Sequence, residues 1–248
     1  MNIIVCISSV PDTTSKINFT NNNTEFDKNG VQFIINPYDE FGLTKAIKLK
    51  ENHGGNITVI TVGDLSVEPI IRKALAIGAD NGVRINMNPD DGFSTAKEIA
   101  NYLNDNPYDL IIAGRESIDY NGGVVPGMIS ELLNIPFINA CIDLEISERN
   151  ANLTREIDGG KEMISCSLPL IIGGQKGLVE ESELMIPNMR GIMQSRTKPL
   201  NIIEPFENKK SNKTIRLEKP PVKSECKFID GDNVRELIDL LQNDAKVI

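Results

Sequence analysis

The chain has little of what hydrolytic enzymes and metal sites require. Its 248 residues include a single histidine, four cysteines and no tryptophan. The histidine, His53, lies in Glu-Asn-His-Gly-Gly at a predicted helix end, so we expect a solvated residue there. A Ser-His-Asp or Cys-His mechanism therefore lacks a credible base, and a site with several histidine ligands is excluded.

The four cysteines lie far apart and form no C-x-x-C pair. This spacing predicts neither a disulfide framework nor a zinc site. Two of them lie in apolar or alternating runs, so we expect buried thiols in a reducing cytoplasm. The cysteines are Cys6, Cys141, Cys166 and Cys226.

Long apolar runs and excess positive charge are also absent. No run approaches the roughly 18 apolar residues of a membrane span, and the N-terminus carries no signal-peptide pattern. The net charge of −9 and the pI of about 4.8 disfavour generic nucleic-acid binding. We therefore expect a cytoplasmic protein that neither enters a membrane nor binds nucleic acid, with enough chain to bury a sizeable core.

Strand and helix patterns alternate over residues 1–130. Such alternation predicts a parallel sheet that is covered by helices on both faces. The predicted strands are Ile3–Val10, Ile57–Val62, Gly82–Ile85 and Tyr108–Ala113, with two weaker extended pieces within Lys16–Asn36 around an Asn-rich turn. The predicted helices begin at Asn36-Pro37 and cover Ser66–Ile77, Ser94–Leu103 and Val125–Leu133.

The pattern becomes β-rich after Pro136. Asp158-Gly159-Gly160 is typical of a tight turn in an antiparallel hairpin. The predicted strands are Ile138–Ile146, Ala151–Ile157, Glu162–Ser167 and Leu170–Ile172.

The C-terminal part is basic and rich in proline. Arg190–Lys223 holds nine basic and three acidic residues, and its composition cannot form a core. A helix is predicted at Asp232–Leu241, and its apolar face needs a surface to cover it. We expect one α/β domain over 1–198 and a C-terminal arm over 199–248, which either wraps a partner or folds back on its own domain. The face consists of Val234, Leu237, Ile238 and Leu241.

Three stretches are candidates for ligand binding. The first strand ends at Val10-Pro11-Asp12, where a parallel sheet binds ligands, although this stretch also fits a simple turn. Asn36–Glu40 opens a helix, whose N-terminus suits a ribose or phosphate, although Asp39 also fits a plain cap.

The third and strongest stretch is Leu110–Gly127. A buried strand runs into a polar loop before a helix, and Gly122 and Gly123 let backbone N–H groups approach an anion. The spacing matches neither the P-loop nor G-x-G-x-x-G. Its position in an α/β sheet nevertheless favours a phosphate-binding loop.

Six stretches in order give the chain a resemblance to the beta subunit of electron-transfer flavoprotein, over about residues 1–200. They are the first strand ending Val10-Pro11-Asp12, Asn36–Glu40 with Ala46–Glu51, Arg72–Asp80, Gly114–Gly127, Arg155–Gly160 with Leu168-Pro169, and Ile186–Met193.

The resemblance implies the non-enzymatic half of a heterodimer with a Rossmann-like fold of the adenine nucleotide alpha hydrolase type. The alpha subunit would hold the redox-active FAD, and this chain would hold AMP or a second FAD. The pair would carry electrons from flavin-dependent dehydrogenases such as acyl-CoA dehydrogenase to a downstream acceptor. The implied nucleotide pocket uses Cys6, Asn36, Pro37, Tyr38, Asp39, Val62, Gly114, Arg115, Asp119, Asn121, Gly122, Gly123, Val124 and Val125.

One departure from the family pattern lies near the expected phosphate. Val124-Val125-Pro126 stands where a Gln, then Thr or Val, then Gly is usual, and these side chains donate no hydrogen bond. Phosphate contacts would come from the backbone of Gly122–Val125, from Asn121 or from Arg115. Pro126 fits the first helical turn. The bound species is therefore open among AMP, FAD and none.

Gly173–Arg196 corresponds to the family's partner-recognition loop. Ile186, Pro187 and Met189 are the expected contacts with a dehydrogenase, although Ile186 also fits a local contact beneath the loop. Two other functions remain as alternatives. An ATP-using enzyme would want a Ser-Gly-Gly-x-Asp-Ser loop, whereas Ser8–Asp12 has no glycine, and a homodimeric nucleotide sensor would not need the basic tail.

Overall fold

The computed structural model describes residues 1–89, 91–206, 212–222 and 225–248. No helix in this described part is long and apolar enough to cross a membrane. The α helices are α1 (Pro37–His53), α2 (Glu68–Ile77), α3 (Gly92–Asn104), α4 (Val125–Leu133), α5 (Met189–Ser195) and α6 (Val234–Asp239). Short 3-10 turns cover Leu65–Val67 and Glu181–Glu183, and a π turn covers Leu240–Asp244.

Thirteen strands lie in the described residues. They are β1 (Asn2–Cys6), β2 (Ser9–Pro11), β3 (Phe19–Thr20), β4 (Glu25–Phe26), β5 (Phe33–Ile35), β6 (Asn56–Val62), β7 (Asn81–Ile85), β8 (Leu110–Gly114), β9 (Phe137–Ser147), β10 (Asn150–Ile157), β11 (Gly160–Ser167), β12 (Leu170–Gly174) and β13 (Leu200–Ile203).

Nine of the strands form one sheet in the order β11-β10-β9-β12-β8-β1-β6-β7-β13. Seven neighbouring strands run parallel to one another: β9, β12, β8, β1, β6, β7 and β13. β10 and β11 add an antiparallel hairpin beside β9, at one end of the sheet. The predicted α/β class, with a parallel sheet and a β-rich addition, is therefore confirmed.

Alternate residues of the central strands bury their side chains on opposite faces of the sheet. Ile3 and Val5 pack in the layer that contains α1 and α2, whereas Ile4 and Cys6 pack in the layer of α3 and α4. Both faces are apolar because helices cover both, and each fully buried Ile or Leu contributes roughly 1.5–3 kcal/mol.

The predicted turns are present. Asn21, Asn22 and Asn23 all have positive φ between β3 and β4, a conformation that asparagine tolerates better than most residues. Asp158-Gly159 connects β10 to β11, with Ile157 paired to Gly160 across the turn. His53 is the exposed last residue of α1, as expected.

The first predicted strand, Ile3–Val10, is wrong as a single element. The chain leaves the main sheet after Cys6, and Ser9–Pro11 pairs instead with β5 in a separate two-stranded sheet. An apolar run shows that residues are buried, but it does not show where a strand changes its partner.

The main sheet also extends beyond the predicted domain boundary at residue 198. β13 pairs with β7, from Leu200 opposite Gly82 to Ile203 opposite Ile85. Any arm therefore begins after this strand, later than predicted, because the apolar residues in Leu200–Ile203 complete the sheet edge. The division of the chain into a domain and an arm otherwise stays a prediction.

Candidate functional site

The strand order reverses direction at β1. β6 and β7 follow β1 on one side, and β8 then returns to the other side of β1. In parallel sheets, ligands bind in the crevice beyond the carboxyl ends of the strands at such a reversal. The candidate site is therefore the crevice beyond the ends of β1 and β8, which we call the β1–β8 crevice.

The buried carboxylate of Asp39 connects the two sides of this crevice. Asp39 lies in the first turn of α1, close to both strand ends, and it accepts hydrogen bonds from the Ser8 backbone N–H at 2.7 Å and from the Gly114 backbone N–H at 2.9 Å. The Asn36 amide donates a third, at 3.1 Å. Burial raises the pKa of Asp39 to about 7, although the three hydrogen bonds act in the opposite direction.

Asn36 in turn holds the loop that follows β8. Its side-chain amide donates to the Glu116 carbonyl at 2.9 Å, and its side-chain oxygen accepts from the Ile118 backbone N–H at 3.3 Å. Both Asn36 and Asp39 are therefore buried and already bonded within the protein. Their predicted contact with a nucleotide stays a prediction, whereas Pro37 and Tyr38 between them are half-buried.

Gly114 lies where the first turn of α1 meets the end of β8. A Cβ atom at this position would lie 2.3 Å from Asp39 Oδ1, 2.7 Å from Tyr38 Cβ and 3.0 Å from Asn36 Nδ2. Only a glycine leaves room for this approach. The predicted pocket residues Asn36–Asp39 and Gly114 are thus brought together.

The loop between β8 and α4 is a short hairpin with unpaired donors. Ser117 and Gly122 exchange backbone hydrogen bonds of 3.1 and 3.2 Å, and Asn121 has a φ of 49°. Asp119 accepts from the Ser117 hydroxyl and the Tyr120 N–H, so its carboxylate is engaged locally.

The N–H groups of Gly123 and Val124 have no acceptor among the described residues. α4 begins at Val125, with Pro126 in its first turn as predicted, and that turn carries no acidic residue. Free N–H groups at the N-terminus of a helix favour an anion.

Arg115 points toward the hairpin end of the sheet. Its guanidinium donates to Gln175 Oε1 at 2.8 Å and lies 3.6 Å from a Glu116 oxygen. The Gln175 amide donates onward to Glu156 in β10. Gln175, directly after β12, and Ser8, two residues after β1, are site residues that were not predicted from the sequence, because no motif marks them and Ser8 lies inside the predicted strand Ile3–Val10.

Cys6 and Val62 supply buried surface at the carboxyl ends of β1 and β6. Burial, with the nearby Asp39 as a lesser cause, raises the pKa of the Cys6 thiol to about 12, so this thiol is neutral at physiological pH. All four cysteines are free; Cys166 is half-buried rather than buried as predicted. No group of three or more metal-ligating side chains occurs in the described residues.

The exposed part of the predicted recognition loop is shorter than 173–196. Gly173 and Gly174 belong to β12, and Leu178 and Val179 are buried. Ile186, by contrast, is 80% exposed. Further exposed apolar side chains follow it at Met189, Ile192 and Met193.

α5 is firmly attached to the end of α2. Gly191 lies so close to α2 that a Cβ would be 2.2 Å from the Ala76 carbonyl oxygen. Arg72 donates to the Ser195 and Lys198 carbonyls at 2.6 and 2.8 Å. Lys198 donates back to the carbonyls of Leu75 and Ala79, so α2 and the end of α5 are joined in both directions.

The C-terminal helix is shorter than the predicted Asp232–Leu241, but a π turn extends it. Three of the four predicted apolar residues, Val234, Leu237 and Ile238, are exposed. Leu241 is half-buried. Lys209, Lys210 and Lys223, which contribute to the basic charge of this region, lie outside the described residues.

Comparison with known proteins identifies the family. The model of the electron transfer flavoprotein domain matches residues 24–207. The chain is 37% identical to the electron transfer flavoprotein subunit beta of Bacillus subtilis, with both chains covered completely. The identity to the subunit of the same name from Syntrophomonas wolfei is 31%, over the whole chain and 98% of the relative. The chain therefore belongs to the family of electron transfer flavoprotein beta subunits.

Proposed function

We propose that this chain is the beta subunit of a heterodimeric electron-transfer flavoprotein and binds AMP, or a second FAD, in the β1–β8 crevice. An alpha subunit would hold the main FAD, and the pair would carry electrons from flavin-dependent dehydrogenases to an acceptor. The main support for nucleotide binding comes from the backbone N–H groups of Gly123 and Val124. They lie directly before the N-terminus of α4 and have no acceptor among the described residues.

The residues of the crevice fit an adenine nucleotide. The Gly123 and Val124 N–H groups are backbone donors for a phosphate, and the first turn of α4 carries no acidic residue. The buried Cys6 and Val62 provide the less polar surroundings that suit a base. The side chains of Val124 and Val125 cannot donate hydrogen bonds, so the backbone N–H groups of this loop would have to make the contacts with a phosphate.

FAD supplies the redox chemistry of such a pair when it is bound. This chain's residues have the separate task of binding and orientation. Asn36 fixes the loop at Glu116 and Ile118, and the short bridge between Ser117 and Gly122 holds the donors in place.

Gly123→Leu should weaken AMP binding at least tenfold, which is about 1.4 kcal/mol. The new Cβ would lie 3.0 Å from the Arg115 carbonyl oxygen, so the loop must shift away from the position in which it presents its N–H groups. Isothermal titration of the purified chain with AMP, and in a second series with FAD, measures the effect.

Gly122→Ala is the matched control, because no atom lies within 4 Å of its added Cβ. It should retain nearly the wild-type affinity. Equal affinities of the wild type and Gly123→Leu would rule out the loop as the phosphate site. Nucleotide extracted from the purified protein and identified by mass spectrometry distinguishes AMP from FAD.

Ile186→Ala should slow electron transfer from the dehydrogenase several-fold and leave the flavin spectrum of the heterodimer unchanged. Ile186 is 80% exposed and lies three residues before α5, which Gly191 attaches to α2. Only a minority of interface side chains cost more than about 1 kcal/mol when they are truncated to alanine, so an effect of this size would mark Ile186 as an anchor. Stopped-flow reduction of the heterodimer by acyl-CoA dehydrogenase at limiting concentrations measures this rate.

Leu65→Ala provides the comparison for that experiment. Leu65 is a similarly apolar and exposed side chain, but it lies outside the recognition segment. If both variants slow the transfer equally, or neither does, Ile186 is not a docking anchor.

A further inference from the structure

Asp39 is a buried carboxylate to which the proposed function assigns no chemistry. It is 3% exposed, and its three hydrogen-bond donors belong to three different parts of the fold. Ser8 follows β1, Gly114 ends β8, and Asn36 precedes α1. No basic side chain forms an ion pair with Asp39 among the described residues, so N–H groups alone stabilise its negative charge.

We propose that Asp39 is the positioning residue of the β1–β8 crevice: its ionised carboxylate holds the two strand ends in the geometry that an adenine nucleotide requires. The inference rests on the proposed nucleotide site. Both carboxylate oxygens are in use, one by Ser8 and the other by Gly114 and Asn36. A protonated or amidated side chain places a hydrogen-bond donor opposite one of these N–H groups, and that contact is then weakened or lost.

The charge state of Asp39 changes close to physiological pH. Burial is the main cause of its pKa of about 7, and the negative charge of Asp119 in the loop after β8 adds to the increase. On β1, the Cys6 thiol is neutral at this pH. The Arg115 guanidinium contacts Gln175 and Glu116 instead of Asp39. The ionised form therefore predominates above pH 7 and the neutral form below it.

The positioning role of Asp39 makes AMP binding depend on pH in a defined way. If only the ionised form is competent, the competent fraction falls about tenfold between pH 8 and pH 6, and the dissociation constant for AMP rises by the same factor. The AMP phosphate itself titrates near pH 6, so the wild type must be compared with Asp39→Asn. In that variant, we expect weak binding at both pH values and only the smaller change that the phosphate causes.

The titration of the Asp39 carboxylate can be measured directly, without any nucleotide. In the full-length wild-type chain, the NMR signals of the Ser8 and Gly114 amides should shift together between pH 6 and pH 8, with a midpoint near 7. This measurement remains informative even if Asp39→Asn does not fold. Asp109→Asn is the matched control, because Asp109 also accepts a strand N–H, that of Asn2 at 2.8 Å, but at the other end of β1. It should leave both the shifts and the AMP profile unchanged.

Failure of the positioning role can be distinguished from failure of the proposed nucleotide site. Amides of Ser8 and Gly114 that do not titrate between pH 6 and pH 8 overturn the proposal. A pH dependence of AMP binding that is the same before and after Asp39→Asn also overturns it, while the nucleotide site itself stands. If the wild type binds neither AMP nor FAD at pH 8, the proposed function fails, and the positioning role fails with it.

Discussion

Gly114→Ala should lower the free energy of unfolding by about 3 kcal/mol and remove nucleotide binding. Forcing a methyl group into a tightly packed position typically costs 1–3 kcal/mol. Here the nearest atom is a carboxylate oxygen of Asp39, 2.3 Å from the added Cβ, so Asp39 must move. Its movement leaves buried N–H groups without an acceptor, at an additional cost of roughly 1–3 kcal/mol.

Equilibrium unfolding in urea measures the first effect, and titration with AMP measures the second. Gly122→Ala again serves as the control, since its Cβ enters open space, and we expect it to stay within about 0.5 kcal/mol of the wild type. A loss below about 1 kcal/mol for Gly114→Ala would mean that α1 and β8 can separate easily. In that case the connection through Asp39 is not rigid.

Deletion of residues 207–248 should abolish co-purification with the alpha subunit and leave this chain folded. The cut lies after β13, because the strand Leu200–Ile203 belongs to the main sheet and must be retained. The deleted part carries exposed apolar residues, Val234, Leu237 and Ile238, which need a surface to cover them. Co-expression with a tagged alpha subunit, followed by size-exclusion chromatography, measures the association.

A double substitution, Leu237→Ser with Ile238→Ser, tests the helix without removing chain. Both side chains are exposed, Leu237 at 42% and Ile238 at 43%, so the domain itself should retain its stability. Weakened association in this variant would place the contact on α6. If the truncated chain associates with unchanged affinity, the arm does not hold the partner. A truncated chain that associates normally but unfolds more readily would show instead that the helix covers its own domain.

Periodicity and turn residues were sufficient to predict most of the fold. α4 covers Val125–Leu133 as predicted, and Asp158-Gly159 joins the predicted hairpin, because both depend on signals within a few neighbouring residues. The break after Cys6 and the addition of β13 to the sheet were not predictable in this way. They depend on which distant strand offers a hydrogen-bonding edge, and local sequence does not contain that information.

The position of the candidate site was predictable, whereas the hydrogen bonds inside it were not, and the predicted contact with a nucleotide stays a prediction. Gly114, Asn36 and Asp39 were correctly expected to lie near the strand ends, since the carboxyl ends of parallel strands meet at one edge. Their expected role was contact with a nucleotide. In the structure, Asn36 and Asp39 bond to the protein itself, through partners as distant in sequence as Gly114 and Ile118. The residues that follow β12, such as Gln175, carried no motif.

The attachment of α5 to α2 separates two tasks in space. α2 starts at the carboxyl edge of the sheet and ends at the amino edge, where Lys198 and Gly191 hold α5 against its last turn. The apolar side chains of α5 therefore lie at the opposite edge from the β1–β8 crevice. The residues that hold α5 share no hydrogen-bond partners with the residues that hold the β1–β8 crevice. The free-energy changes caused by substitutions at the two edges are therefore expected to be additive. We therefore expect that substitutions in α5 change the proposed affinity for a redox partner without changing the proposed affinity for a nucleotide in the β1–β8 crevice.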